Sequence, residues 1–150
     1  MTIASSLVLL QVYKTFVRSK LEYGCVVWHS SLSEKNKKDL ERVQKCAFKI
    51  ILKLDYESYE HALRELKMDS LDDRRRKLCL RFAENCLKSW TRNMFPLNQS
   101  NHIMEKRSRE KFKDVRCNTE RFRKSVLPYM RKILNKDYSE KKKILGNLIN

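Results

Sequence analysis

The chain has 150 residues, 34 Lys and Arg against 18 Asp and Glu, a formal net charge of +16, and only two Gly and two Pro. The length excludes a pair of large domains, and the shortage of turn residues, where about ten Gly and seven Pro would be usual, excludes a sandwich or barrel and points to helices. So large a positive excess opposes a compact state by self-repulsion unless an anion shares the surface, which puts nucleic acid first among partners and an acidic membrane second.

The opening MTIASSLVLLQVYK lacks the basic start of a signal peptide and is too short to span a bilayer. Leu9, Val12, Tyr13, Phe16, Val17 and Leu21 recur at three- and four-residue steps, which predicts a helix from about 5 to Trp28. CVVW has strand propensity, but no second strand with hairpin signals lies nearby. Gly24 has two readings here: a gap that lets another helix approach, or a helix end.

SSLSEKN is a break in which Ser31 and Glu34 have capping-box spacing. The helix expected over 34–54 is the most informative element. At about 100° per residue, Leu40, Val43, Ala47, Ile50, Ile51 and Leu54 share one arc. Lys38, Arg42, Lys45, Lys49 and Lys53 share the opposite one. A solvated face usually mixes signs to gain i,i+4 pairs. This one does not, which is the electrostatic footprint of a phosphate-facing surface.

DYESYEHALRELKMDSL predicts a short helix capped by Ser58, with Tyr59, Ala62, Leu63 and Leu66 inward. Ser70 then caps a helix over about 71–92, with Asp73 three residues on. Its expected core positions are Leu71, Leu78, Cys79, Phe82, Ala83, Cys86 and Trp90. Arg74, Arg75, Arg76 and Lys77 stand near its N-terminus, where cations oppose the macrodipole, so they are expected to serve a ligand. From 93 the periodicity loosens. Phe112 and Phe122 are placed either on the core or against bases, VLPYMRKILN closes the excursion, and 139–149 add a weak final helix. The expected fold is all-α: a short bundle of about four helices over 1–92, then a loosely ordered basic extension over 93–150.

The cysteines Cys25, Cys46, Cys79, Cys86 and Cys117 are odd in number and contain no Cys-x-x-Cys pair. That fits neither a disulfide framework nor a zinc ribbon, and it suits a reducing, intracellular compartment. His29, His61 and His102 lie far from any cysteine at ligand spacing. Asp72 and Asp73 invite a two-metal reading, yet they open a helix, where acids serve the dipole. No Ser-His-Asp set, P-loop or His-Glu-x-x-His motif is present. No catalytic group, metal or cofactor is expected in this chain.

VYKTFVRSKLEYGCVVW resembles the segment just past the polymerase active site in reverse transcriptases of non-LTR retrotransposons, particularly jockey-like elements. Tyr13, Lys14, Arg18, Leu21, Glu22, Tyr23, Gly24 and Trp28 match that pattern, and Ser19 stands where members often have Pro. LERVQ, through Leu40, Glu41, Val43 and Gln44, resembles the next family helix, and Lys49, Ile50 and Ile51 its second half. Tyr56, Tyr59, Leu63, Leu66, Ser70, Leu71, Arg74 and Arg75 match a third block, and RFRKSVLPYMRKILN looks like the degenerate ends of such proteins. The resemblance covers about 9–92.

It implies the helical thumb of an RNA-directed DNA polymerase and the segment after it, gripping an RNA–DNA or DNA duplex by its backbone. The catalytic aromatic-x-Asp-Asp hairpin and the remaining polymerase portion would lie N-terminal of Met1. Tyr23 and Trp28 then either orient the cationic ridge through a hydrophobic seam or simply fill the core. Two other readings stand beside this one: a helix-turn-helix regulator whose recognition helix opens at Arg74–Lys77, and a decayed element remnant without function.

Overall fold

The computed structural model describes residues 3–97 and 111–148, without the side chains of 3–5, 143 and 145–148. His102 lies outside the described residues. Among them the protein is all-α, with one isolated antiparallel bridge, Leu97 to Phe112, and no strand. Two compact units form, Met1–Lys77 and Leu78–Asn150.

The first unit contains α1 (Ile3–Val12), a π turn (Tyr13–Val17), α2 (Arg18–Glu22), α3 (Cys25–Trp28), α4 (Glu34–Leu52) and α5 (Tyr59–Glu65). α6 (Leu71–Lys88) begins in this unit and runs on into the second. The single helix expected over 5–28 is thus interrupted twice. At Gly24 the backbone turns left-handed, with φ +59°. A Cβ there would meet only Trp28 Nε1, at 3.9 Å. Conformation rather than crowding demands the glycine, and of its two readings the helix end holds.

Capping explains the other boundaries. Ser33, not Ser31, caps α4 by accepting from the Asn36 N–H at 3.2 Å, while the Ser31 hydroxyl donates back to the Trp28 carbonyl. Ser58 caps α5 through the His61 N–H at 3.1 Å. Ser70 accepts from the Asp73 N–H at 3.1 Å and donates to the Asp73 carboxylate at 2.8 Å.

The core of this unit gathers Leu10, Tyr13, Phe48, Ile51 and Ala62. Phe48 meets Tyr13 edge-on at 5.7 Å and stacks on Tyr59 at 6.0 Å. The buried line of α4 is therefore Gln44, Phe48 and Ile51. At about 100° per residue, that line is turned by roughly 80° from the apolar arc expected from sequence. Val43 and Ile50 are exposed, and Leu54 is fully so. The physical reason is Gln44, whose buried amide is satisfied. It accepts from Tyr13 Oη at 2.8 Å and donates to Tyr59 Oη and the Asp69 carbonyl, both at 3.0 Å. A paired amide is as acceptable inside as an aliphatic chain. On α6 the buried residues Leu71, Arg75, Cys79 and Ala83 follow one another at four-residue steps. Phe82 and Trp90 are exposed rather than inward.

In the second unit, α7 (Glu120–Arg123) precedes α8 (Val126–Leu148). α8 joins into one helix the two pieces expected from sequence; Pro128 sits in its first turn, where a missing N–H costs little. Two α8 side chains one turn apart hold the segments at 94–97 and 111–113. Asn135 accepts from the Phe112 N–H at 2.9 Å and donates to the Phe112 carbonyl at 3.1 Å. Arg131 donates to the carbonyls of Met94 and Lys113, each at 3.1 Å. Phe112 docks in the core against Phe95 at 6.4 Å, whereas Phe122 stays exposed.

Candidate nucleic-acid interface

Lys38, Arg42, Lys45 and Lys49 stand on α4 at steps of three and four residues, so they form one stripe about 16 Å long. All four are exposed. Among the described residues none has a carboxylate in salt-bridge range. The stripe borders the buried face along one edge. There Lys45 Nζ lies 4.8 Å from the Tyr59 ring centre and Lys49 Nζ lies 5.6 Å from that of Tyr56. Such contacts contribute about 0.5–1 kcal/mol at exposed sites, and they hold the ammonium groups without neutralising them. Lys53 is exposed and ends the stripe. Its φ of +50° takes the chain out of the helix, and its N–H closes the last turn on the Lys49 carbonyl.

The run Arg74–Lys77 is a different object. Consecutive helical residues fan out by about 100° each, so the four cations cannot share a face. Arg74 donates through Nε to Glu22, which Arg18 also approaches at 3.9 Å. Arg75 is fully buried, 5.9 Å from the Trp28 ring centre and 3.9 Å from Asp72. Arg76 meets Asp72 at 2.9 Å and Asp73 at 3.9 Å, and Lys77 meets Asp69 at 2.7 Å. Every one of these cations has an acid beside it. In this fold Arg75 is buried away from any ligand, and Arg74, Arg76 and Lys77 each share their charge with a neighbouring acid. Asp72 and Asp73 are likewise engaged by Arg76 in the first turn of α6.

The expected aromatic anchors divide. Tyr13 is buried, Leu21 and Trp28 are half-buried, and Tyr23 is 83% exposed. Tyr23 contributes its carbonyl, which accepts from Trp28 Nε1 at 2.9 Å. The wiring that orients α4 is instead the polar core, which sequence reading passed over. Tyr59 donates to Glu41, and the same Glu41 oxygen accepts from the Leu71 N–H at 3.1 Å, tying α4 to the start of α6. Burial pushes the Tyr13 and Tyr59 hydroxyls well above the ordinary phenol range, and the bond to Glu41 adds to this for Tyr59. Both stay protonated donors. His29 is pulled below its ordinary value by burial, an effect opposed by Asp72 and reinforced by Arg75.

Among the described residues no group of three or more His, Cys, Asp or Glu could hold one metal ion, and no helix is long and apolar enough to cross a membrane. No family model, curated protein or solved structure matches the chain.

Proposed function

We propose that this chain is a non-catalytic helical module that grips the backbone of a nucleic-acid duplex: the thumb region of an RNA-directed DNA polymerase from a jockey-like non-LTR retrotransposon. The observation that carries the reading is the unneutralised stripe Lys38, Arg42, Lys45 and Lys49, set on a helix whose adjoining face is pinned into a core. A stripe of cations that bears no amide side chain of its own suits phosphates, which position a duplex but carry no sequence. The family resemblance gains support from the way its separate blocks meet within one unit. Tyr13 of the first block reaches Gln44 of the second, which reaches Tyr59 of the third. Glu22 pairs with Arg74, and Trp28 lies under Arg75.

In this reading the polymerase carboxylates belong to an N-terminal portion of the parent protein, which is the chain's protein partner. The thumb needs no cofactor of its own. The test is fluorescence anisotropy of the full chain against an RNA–DNA hybrid and two unrelated DNA duplexes across a salt series. Engagement of four or five phosphates predicts a slope of log K on log salt of about −4. The two DNA sequences should bind within a few-fold of each other. Discrimination between them by orders of magnitude would point to a sequence reader, and a flat slope would remove the stripe from consideration.

A further inference from the structure

Most of the positive excess lies outside the unit that carries the α4 stripe. Residues 78–150 hold 18 Lys and Arg against 7 Asp and Glu, an excess of 11, whereas residues 1–77 hold 16 against 11, an excess of 5. Within the second unit Trp90 is 83% exposed. It opens the 3-10 turn Trp90–Met94, which follows α6.

That turn is tied at both ends. At its start Thr91 Oγ1 donates to the Cys86 carbonyl in the last turn of α6 at 2.9 Å, and the Ser89 hydroxyl accepts from the Thr91 N–H at 3.4 Å. At its end the Phe95 N–H donates to the Arg92 carbonyl at 2.9 Å, and Phe95 is buried against Phe112. Arg131 Nε donates to the Met94 carbonyl at 3.1 Å. The backbone beneath Trp90 is therefore fixed while its ring stands in water. Lys88 and Arg92 lie two residues to either side of it. Both are exposed, and among the described residues neither has a carboxylate in salt-bridge range.

We infer that the Trp90 turn is a stacking platform for an unpaired base of a single-stranded nucleic acid, with Lys88 and Arg92 on the neighbouring phosphates. The chemistry of the site selects this occupant. An open indole face accepts any base by stacking, and cations that track the backbone beside it complete the combination single-strand sites use. Two uncompensated cations call for a polyanion, whose released counterions favour binding. A duplex satisfies the cations but not the ring, because each of its bases is already covered by its neighbours. The inference does not rest on the thumb reading: it uses the second unit and the unpaired form of nucleic acid. A single ring is a small contact, so the platform adds to electrostatic binding rather than replacing it.

Tryptophan fluorescence of the full chain reads the site, since the chain has two tryptophans, Trp28 and Trp90. Titration with a short oligo(dT) should give saturable quenching that disappears in Trp90→Phe, where Trp28 alone reports. Phe still stacks, so the affinity of Trp90→Phe by anisotropy should stay within a few-fold of the parent. Trp90→Ala should lose about 5- to 150-fold, with an unchanged circular-dichroism melt because the ring is exposed. Lys88→Gln with Arg92→Gln should flatten the oligo(dT) slope of log K on log salt by about 1.4. With an end-free circular duplex, Trp90→Ala should keep the parent slope, so this site and the α4 stripe fail separately. An oligo(dT) affinity indifferent to Trp90→Ala, or quenching that persists in Trp90→Phe, overturns the inference. So does quenching as strong with the circular duplex, or a response to phosphatidylserine vesicles with none to oligo(dT).

Discussion

The two basic runs of the first unit carry similar charge and have opposite fates. The α4 cations are spaced by three and four residues, so they align, and among the described residues no acid meets them. The Arg74–Lys77 cations are consecutive, so they radiate. Each finds an acid: Glu22, Asp72, Asp73 or Asp69. Composition alone weights both runs equally. Geometry makes one an unpaired stripe and the other a set of ion pairs, buried at Arg75 and exposed at Arg76 and Lys77, and net charge is therefore a poor guide to where a phosphate would sit.

That contrast can be broken at several points. The largest effect is expected from reversing the stripe. Lys38→Glu, Arg42→Glu, Lys45→Glu and Lys49→Glu together should weaken duplex binding at least 100-fold, about 2.7 kcal/mol, while the thermal melt moves little, because the four side chains are exposed. Anisotropy and circular dichroism on the same preparation check both halves. Arg74→Ala should do the reverse. It leaves the Glu22 carboxylate, whose side chain is 12% exposed, with Arg18 at 3.9 Å as its one remaining cation among the described residues. A loss of about 1–3 kcal/mol is expected in urea unfolding, with the salt slope of binding unchanged.

Arg75→Met sharpens the comparison further. The guanidinium nitrogens of Arg75 have no hydrogen-bond partner among the described residues. Replacing a buried, poorly compensated cation with an apolar chain of similar length is often neutral or stabilising. The stability in urea unfolding should hold or rise, by about 1 kcal/mol or more; a clear fall would mean that the Trp28 contact outweighs the desolvation of the charge. The smallest effect belongs to Arg76→Gln with Lys77→Gln. These exposed pairs should cost less than about 1 kcal/mol and leave binding nearly as it was.

Much of the fold was legible. The caps at Ser58 and Ser70 followed from a small polar residue before an apolar period, and the helical class followed from the want of turn residues. The phase of α4 was not legible from hydrophobicity. Leu40, Val43, Ile50 and Leu54 look like core until Gln44 is seen to be satisfied by Tyr13, Tyr59 and the Asp69 carbonyl, partners 15 to 31 residues away. The cap of α4 fell at Ser33 rather than Ser31 because several serines compete there and only the helix phase decides.

The stripe was legible because it depends on local spacing alone. The neutralisation of Arg74–Lys77 was only partly so. The acids at Asp72 and Asp73 lie close in sequence, but Glu22 reaches Arg74 across 52 residues. In the second unit, the hold of Arg131 on Met94 spans 37 residues, and nothing in the local pattern announces it.

The most direct test is a pair of salt titrations on one duplex, one with the four stripe cations changed to Gln and one with Arg74, Arg76 and Lys77 changed to Gln. Four lost phosphate contacts should flatten the slope of log K on log salt by about 3.6 in the first variant, with the second close to the parent chain. A first variant that keeps the parent slope, or a second that loses as much as the first, would contradict the assignment of the interface to α4.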